Sequence, residues 1–179
     1  MSQDKRDREA GDQNRRFCPR ETSVAVFFGT FENKVDRKGR VSVPAPFRQA
    51  LGRSAFAGII LRPSDRNSGL EGCDLEFMEQ LNDSSLEANA LYSDEHEDLA
   101  LTLFADALQL PFDSEGRIIL PAVMVEHAGI GERACFVGMG SRFQIWEPEA
   151  LERHKAEARA RARDKKLTLP LKPGAGTGS

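Results

Sequence analysis

No stretch of the 179 residues approaches the roughly 20 consecutive apolar positions that a membrane-spanning helix requires, so no membrane partner is expected. Met1 to Arg20 is too polar for a secretory signal, and a cytoplasmic address is expected in consequence. Cysteine is scarce: Cys18, Cys73 and Cys135 are odd in number and widely spaced, which fits neither a disulfide framework nor a zinc knuckle, and they read as reduced thiols. His96, His127 and His154 share no ligand spacing, so no metal site and no cofactor are expected. Catalytic furniture is missing as well, with no nucleophile beside a base, no acid pair in a cleft and no phosphate-cradling loop. Gly138-Met139-Gly140-Ser141 could pass for a nucleophile turn, but a tight connection between two strands explains it without chemistry. The chain is therefore not read as an enzyme, and no small-molecule substrate is expected.

What is present is segregated charge. The formal net charge is -3, yet between Asp65 and Asp106 there are 12 acidic residues against one base, Arg66. Over Lys34 to Arg40 the balance reverses, with Lys34, Arg37, Lys38 and Arg40 against Asp36 alone. Because salt confines each charge to about 8–10 Å, an acidic body with a basic tip can still dock on phosphates.

An internal repeat organises the chain. Asp36-Arg37-Lys38-Gly39-Arg40-Val41-Ser42-Val43-Pro44-Ala45 returns 77 residues later (113 minus 36) as Asp113-Ser114-Glu115-Gly116-Arg117-Ile118-Ile119-Leu120-Pro121-Ala122. At 40% hydrophobic content the chain can bury one sizeable core, or two small ones that share an interface. Each copy carries a short apolar helix, Phe47 to Leu51 or Met124 to Ala128, closed by Gly52 or Gly129. Two strands follow: Ala57 to Leu61 and Asp74 to Met78 in the first copy, Ala134 to Val137 and Arg142 to Trp146 in the second. The preceding strands, Val24 to Val35 and Ala105 to Phe112, are expected to form hairpins with Arg40 to Val43 and Arg117 to Leu120 around Gly39 and Gly116.

Boundaries follow: a disordered extension over 1–22, a first repeat over 23–80, a helical linker over 81–104, a second repeat over 105–148, a helix over 149–166 and a disordered tail over 167–179. Within the linker, Asp94 and Glu97 have capping-box spacing. The last helix opens at Pro148 and carries too narrow an apolar stripe for a core element, so it is either solvated or used by a neighbour. The fold class expected is mainly β with short helices (α+β).

The Asp-x-x-Gly-Arg turn has two uses. As structure, Asp36 accepts from turn amides and pairs with Arg40, as Asp113 would with Arg117. As an interface, the first turn groups Arg37, Lys38 and Arg40, a set suited to phosphates and guanine edges, on a ribbon narrow enough for the major groove.

The pattern Asp-x-x-Gly-Arg-Val-x-Val-Pro-x-x-Phe-Arg, its shorter echo in the second copy and the ending Phe143-Gln144-Ile145-Trp146 resemble the MraZ family of tandem SpoVT/AbrB-like regulators over about Phe27 to Glu152. The resemblance implies a double-barrel β fold, a ring-shaped homo-oligomer on the nucleoid, and double-stranded DNA as partner. That DNA would be repeated promoter boxes ahead of the division and cell-wall gene cluster. It also implies that Asp36 with Arg40, and Asp113 with Arg117, face DNA; Arg37 and Lys38 are added here on charge and position.

The second copy departs from the first. Ser114 and Glu115 stand where Arg37 and Lys38 do, and Val125 stands where Arg48 does, so a role for Arg48 does not transfer. Two other readings remain open: an oligomeric scaffold without specific DNA binding, and an AbrB-like antitoxin or regulator of another operon.

Overall fold

The structure, a computed structural model, describes residues 24–88 and 93–165; the extension over 1–22 and the tail over 167–179, both expected to be disordered, lie outside the described residues. The fold is mainly β with short helices, as expected. Among the described residues, eight strands are arranged in a six-stranded and a two-stranded antiparallel sheet, with five short α-helices. In chain order they are β1 (Thr30–Lys34), β2 (Arg40–Ser42), α1 (Ala45–Leu51), β3 (Gly58–Pro63), β4 (Leu70–Cys73), α2 (Leu75–Ala88) and α3 (Asp94–Ala100). A π-helical turn (Leu101–Ala105) leads into β5 (Leu108–Pro111), β6 (Arg117–Ile119), α4 (Ala122–Ala128), β7 (Arg133–Gly138), β8 (Phe143–Trp146) and α5 (Pro148–Asp164).

The two copies are interlaced rather than stacked. The large sheet has the order β1-β7-β8-β4-β3-β5, which is a palindrome once β1 is matched with β5, β7 with β3 and β8 with β4. At its centre Glu71 pairs with Gln144; in the small sheet Val41 pairs with Ile118, its own counterpart at the 77-residue offset. A pseudo-twofold axis therefore runs through both sheets. No barrel closes: β1 and β5 each pair on one side only among the described residues. The hairpins expected within each copy shrink to their turns and, in the first, a single bridge from Val35 to Val41. Beyond the turn, β1 pairs with β7 and β2 with β6, each across the copies.

Burial explains the exchange. A half of this size cannot cover all its strand faces alone, and crossing the strands brings Val41 and Val43 of one copy and Ile118 and Leu120 of the other into one core. Phe47 on α1 sits near its centre, with ring centroids 5.2 Å from Phe27, 5.5 Å from Phe31 and 5.3 Å from Phe143. Burying one such phenyl group stabilises by about 1.5–3 kcal/mol. A small second cluster of Cys135, Trp146 and Leu151 docks the start of α5, where His154 stacks on Trp146 at 4.7 Å. That helix is thus anchored through its first turns, which its narrow stripe had left open.

Three local expectations are corrected. Asp74 to Met78 is not a strand: Asp74 accepts from the Phe77 N–H at 2.8 Å and from the Ala25 N–H at 2.7 Å, and so starts α2, while the strand lies earlier, at β4. An aspartate three residues before a free amide outweighs the alternation of Leu75 and Phe77. The cap of α3 is Ser93, whose hydroxyl accepts from the His96 N–H at 3.2 Å, and Asp94 and Glu97 lie in the first turn. Gly129 closes α4 in the left-handed region at φ 61°, but Gly52 follows α1 at φ -63°, where any residue is allowed.

Candidate nucleic-acid interface

Each turn is built from one carboxylate. In the first, Asp36 Oδ1 accepts from the Lys38 N–H at 2.8 Å and the Arg40 N–H at 3.0 Å, while Oδ2 accepts from Arg40 Nε at 2.6 Å. In the second, Asp113 Oδ1 accepts from the Glu115 and Arg117 N–H groups, both at 2.9 Å, and Oδ2 from Arg117 Nε at 2.7 Å. The glycines complete the geometry, at φ 75° for Gly39 and 72° for Gly116, where a side chain would strain the backbone. Each glycine carbonyl also accepts from the opposite copy, Gly39 O from the Leu120 N–H at 2.9 Å and Gly116 O from the Val43 N–H at 3.2 Å. The turns are therefore fixed to one another as well as within themselves.

Both carboxyl groups are held ionised. The backbone hydrogen bond from Arg117, followed by that residue's guanidinium, brings Asp113 down to about 2, and the backbone hydrogen bond from Arg40 leads the lowering of Asp36. Arg117 is shifted up, chiefly by its bond to Asp113, with Asp36 of the other turn among the charges that act on it.

The turns differ in what they present. Arg37 and Lys38 are exposed, and among the described residues their side chains take no partner within the chain. Arg40 is half-buried and uses Nε on Asp36, while among the described residues its terminal amino groups take no partner within the chain. Arg117 is tied twice, through Nε to Asp113 and through Nη1 to Glu115. Ser114 and Glu115 are exposed. The structure thus brings Asp36, Arg37, Lys38, Gly39 and Arg40 to one tip and Asp113, Gly116 and Arg117 to its symmetry mate, on a ribbon formed by β2 and β6.

Sequence reasoning left out one participant. Arg48, on α1 of the first copy, donates through Nε to Val43 O at 3.1 Å and lays its guanidinium over Gly116 of the second. The only linear signal was the Arg48-to-Val125 difference, which says nothing of where that side chain goes. Elsewhere, Cys73 and Cys135 are free and buried; burial pushes the Cys73 thiol up to about 12, so it stays protonated. Among the described residues no group of three or more His, Cys, Asp or Glu side chains could hold a metal ion, and no helix is long and apolar enough to cross a membrane.

Two interlaced copies of one β-turn-β-helix unit, meeting at a ribbon with an Asp-Arg turn at each end, define a tandem-repeat pseudo-dimer with a basic tip. The family described as "MraZ protein, putative antitoxin-like" matches residues 26–62 and 103–169, and the chain belongs to the MraZ family. It is 45% identical over 145 residues to a protein of Rickettsia bellii (strain OSU 85-389) named "Transcriptional regulator MraZ", covering 80% of this chain and 96% of that protein. Proteins of the same name from Rickettsia canadensis (strain McKiel) and Rickettsia akari (strain Hartford) are 45% and 43% identical over 144 residues, again covering 80% of this chain and 96% of each.

Proposed function

We propose that this chain is a sequence-specific DNA-binding transcription regulator, not an enzyme, acting at repeated boxes in the promoter of the division and cell-wall gene cluster. The observation that carries the reading is the pair of congruent Asp-Arg turns, held by the same three hydrogen bonds at symmetry-related ends of one ribbon. A two-stranded ribbon fits the major groove, and two like tips suit a repeated box. Arg40 and Arg117 reach base edges or phosphates, Arg37 and Lys38 bind phosphates, and Asp36, Gly39, Asp113 and Gly116 shape the tips.

The working form is a ring on the nucleoid. The outer edges of β1 and β5, unpaired among the described residues, and the exposed Phe28 favour self-association, since bare strand edges and apolar surface invite pairing. Within it the repeats occupy 23–80 and 105–148, joined by the segment 81–104 and followed by a C-terminal segment over 149–166 that contains most of α5.

Footprinting of the purified protein on the DNA upstream of its own gene, beside a scrambled fragment, tests this. Protection of regularly spaced boxes is expected. Equal or absent retention of the two fragments would return the chain to the scaffold reading, and protection confined to another operon to the antitoxin-like one.

A further inference from the structure

The second tip, taken from its own copy alone, is ill suited to a polyanion. Asp113, Glu115 and Arg117 leave it with a net charge of -1, against +2 for Asp36, Arg37, Lys38 and Arg40 at the first. Two of its carboxylates already hold the Arg117 guanidinium. A docking surface with one repelling end would waste the symmetry that interlacing creates.

The structure supplies a cation from the other copy. We infer that Arg48, reaching from the first repeat onto the turn of the second, is a DNA-contacting residue that gives the second tip its phosphate affinity; this rests on the DNA-binding reading above. Its stem is held in place twice: the neighbouring Phe47 is 1% exposed in the core, and Arg48 Nε donates to Val43 O, while Val43 N–H donates to Gly116 O. The guanidinium covers the turn glycine so closely that a Cβ on Gly116 would lie 2.9 Å from Arg48 Cζ. Gly39, the equivalent glycine, faces the Leu120 carbonyl instead, and Val125, the counterpart of Arg48, packs on the core. Arg48 is exposed, and among the described residues its terminal nitrogens take no partner within the chain, so they are available to an anion. The first tip is charged by its own turn and the second by a loan across the pseudo-twofold axis.

The test is a salt titration of binding to the footprinted box by wild type, Arg48→Gln and Arg48→Lys, with thermal midpoint and elution volume checked for each. Arg48→Gln should weaken binding roughly fivefold at 0.15 M salt and flatten the log-log salt slope by about 0.9 per engaged subunit, the signature of one lost phosphate contact. Arg48→Lys should keep the slope. Adding Ser114→Arg and Glu115→Lys to Arg48→Gln, which gives the second tip the basic pair of the first, should restore it. Arg48→Met, whose stem still covers Gly116, replaces Arg48→Gln if the latter fails to fold. Unchanged affinity and slope, or a weaker affinity with the wild-type slope, would mean that Arg48 only braces the turn and would overturn the inference. Absence of specific retention by wild type would instead overturn the DNA-binding reading, and this inference with it.

Discussion

Asp36 and Asp113 accept from the same backbone positions and the same guanidinium nitrogen, at distances that differ by no more than 0.1 Å. The side chains between them share almost nothing: Arg37 and Lys38 point outward at one turn, whereas Ser114 and Glu115 occupy the other, where Glu115 reaches back to Arg117. The comparison separates two jobs that one motif combines. Shape comes from the carboxylate, the glycine and the arginine Nε, which both copies keep. Charge comes from residues the turn does not need for its shape, and these the copies vary.

The comparison breaks most visibly at the arginines. Arg40→Ala should remove specific retention in a mobility-shift assay, a fall of roughly ten- to a hundredfold for one base-reading arginine. Arg117→Ala should cost less, because Glu115 already occupies part of its guanidinium; equal losses would mean that both tips bind alike. Lys38→Ala touches charge without shape. It should weaken binding to all sequences by roughly fivefold at 0.15 M salt, with a salt slope flatter by about 0.9. Glu115→Lys makes the opposite change at the other tip and should tighten binding to unrelated DNA by a similar or smaller factor.

Acid should weaken the second turn through the shape it shares with the first. Asp113 titrates at about 2, below the ordinary carboxylate range near 4, so its contribution to folding is fully present above about pH 4 and drains away as pH falls towards 2. The thermal midpoint of wild type should drop across that window more steeply than that of Asp113→Asn, and Asp36→Asn should show the same sign. Identical pH profiles for wild type and both variants would contradict this assignment. The smallest expected difference lies at the helix ends, read by urea denaturation. Gly129→Ala should destabilise by about 1 kcal/mol because of its positive φ, while Gly52→Ala should be neutral or stabilise by up to about 1 kcal/mol.

The pattern of losses and matches has physical causes. Leu75 and Phe77 alternate like a strand, but a cap is decided by which side chain meets a free amide, and Asp74 does so in the fold. Ser93 beats Asp94 at the next helix for the same reason. The short helices α1 and α4 were legible because proline, an apolar face and a glycine mark both ends locally.

By itself the sequence determined what is local or repeated: the twin Asp-x-x-Gly-Arg turns, the strand and helix content, and the unequal charge of the two copies. Each depends on contacts within a few residues, so the pattern of residue types carries it. Tertiary structure alone decided which strands pair. Val41 opposite Ile118 and Glu71 opposite Gln144 rest on a choice between partners of equal strand propensity, made by which arrangement buries one common core. The reach of Arg48 across the axis to Gly116 is a consequence of that choice, since 68 positions (116 minus 48) separate two residues that only the interlaced core brings together.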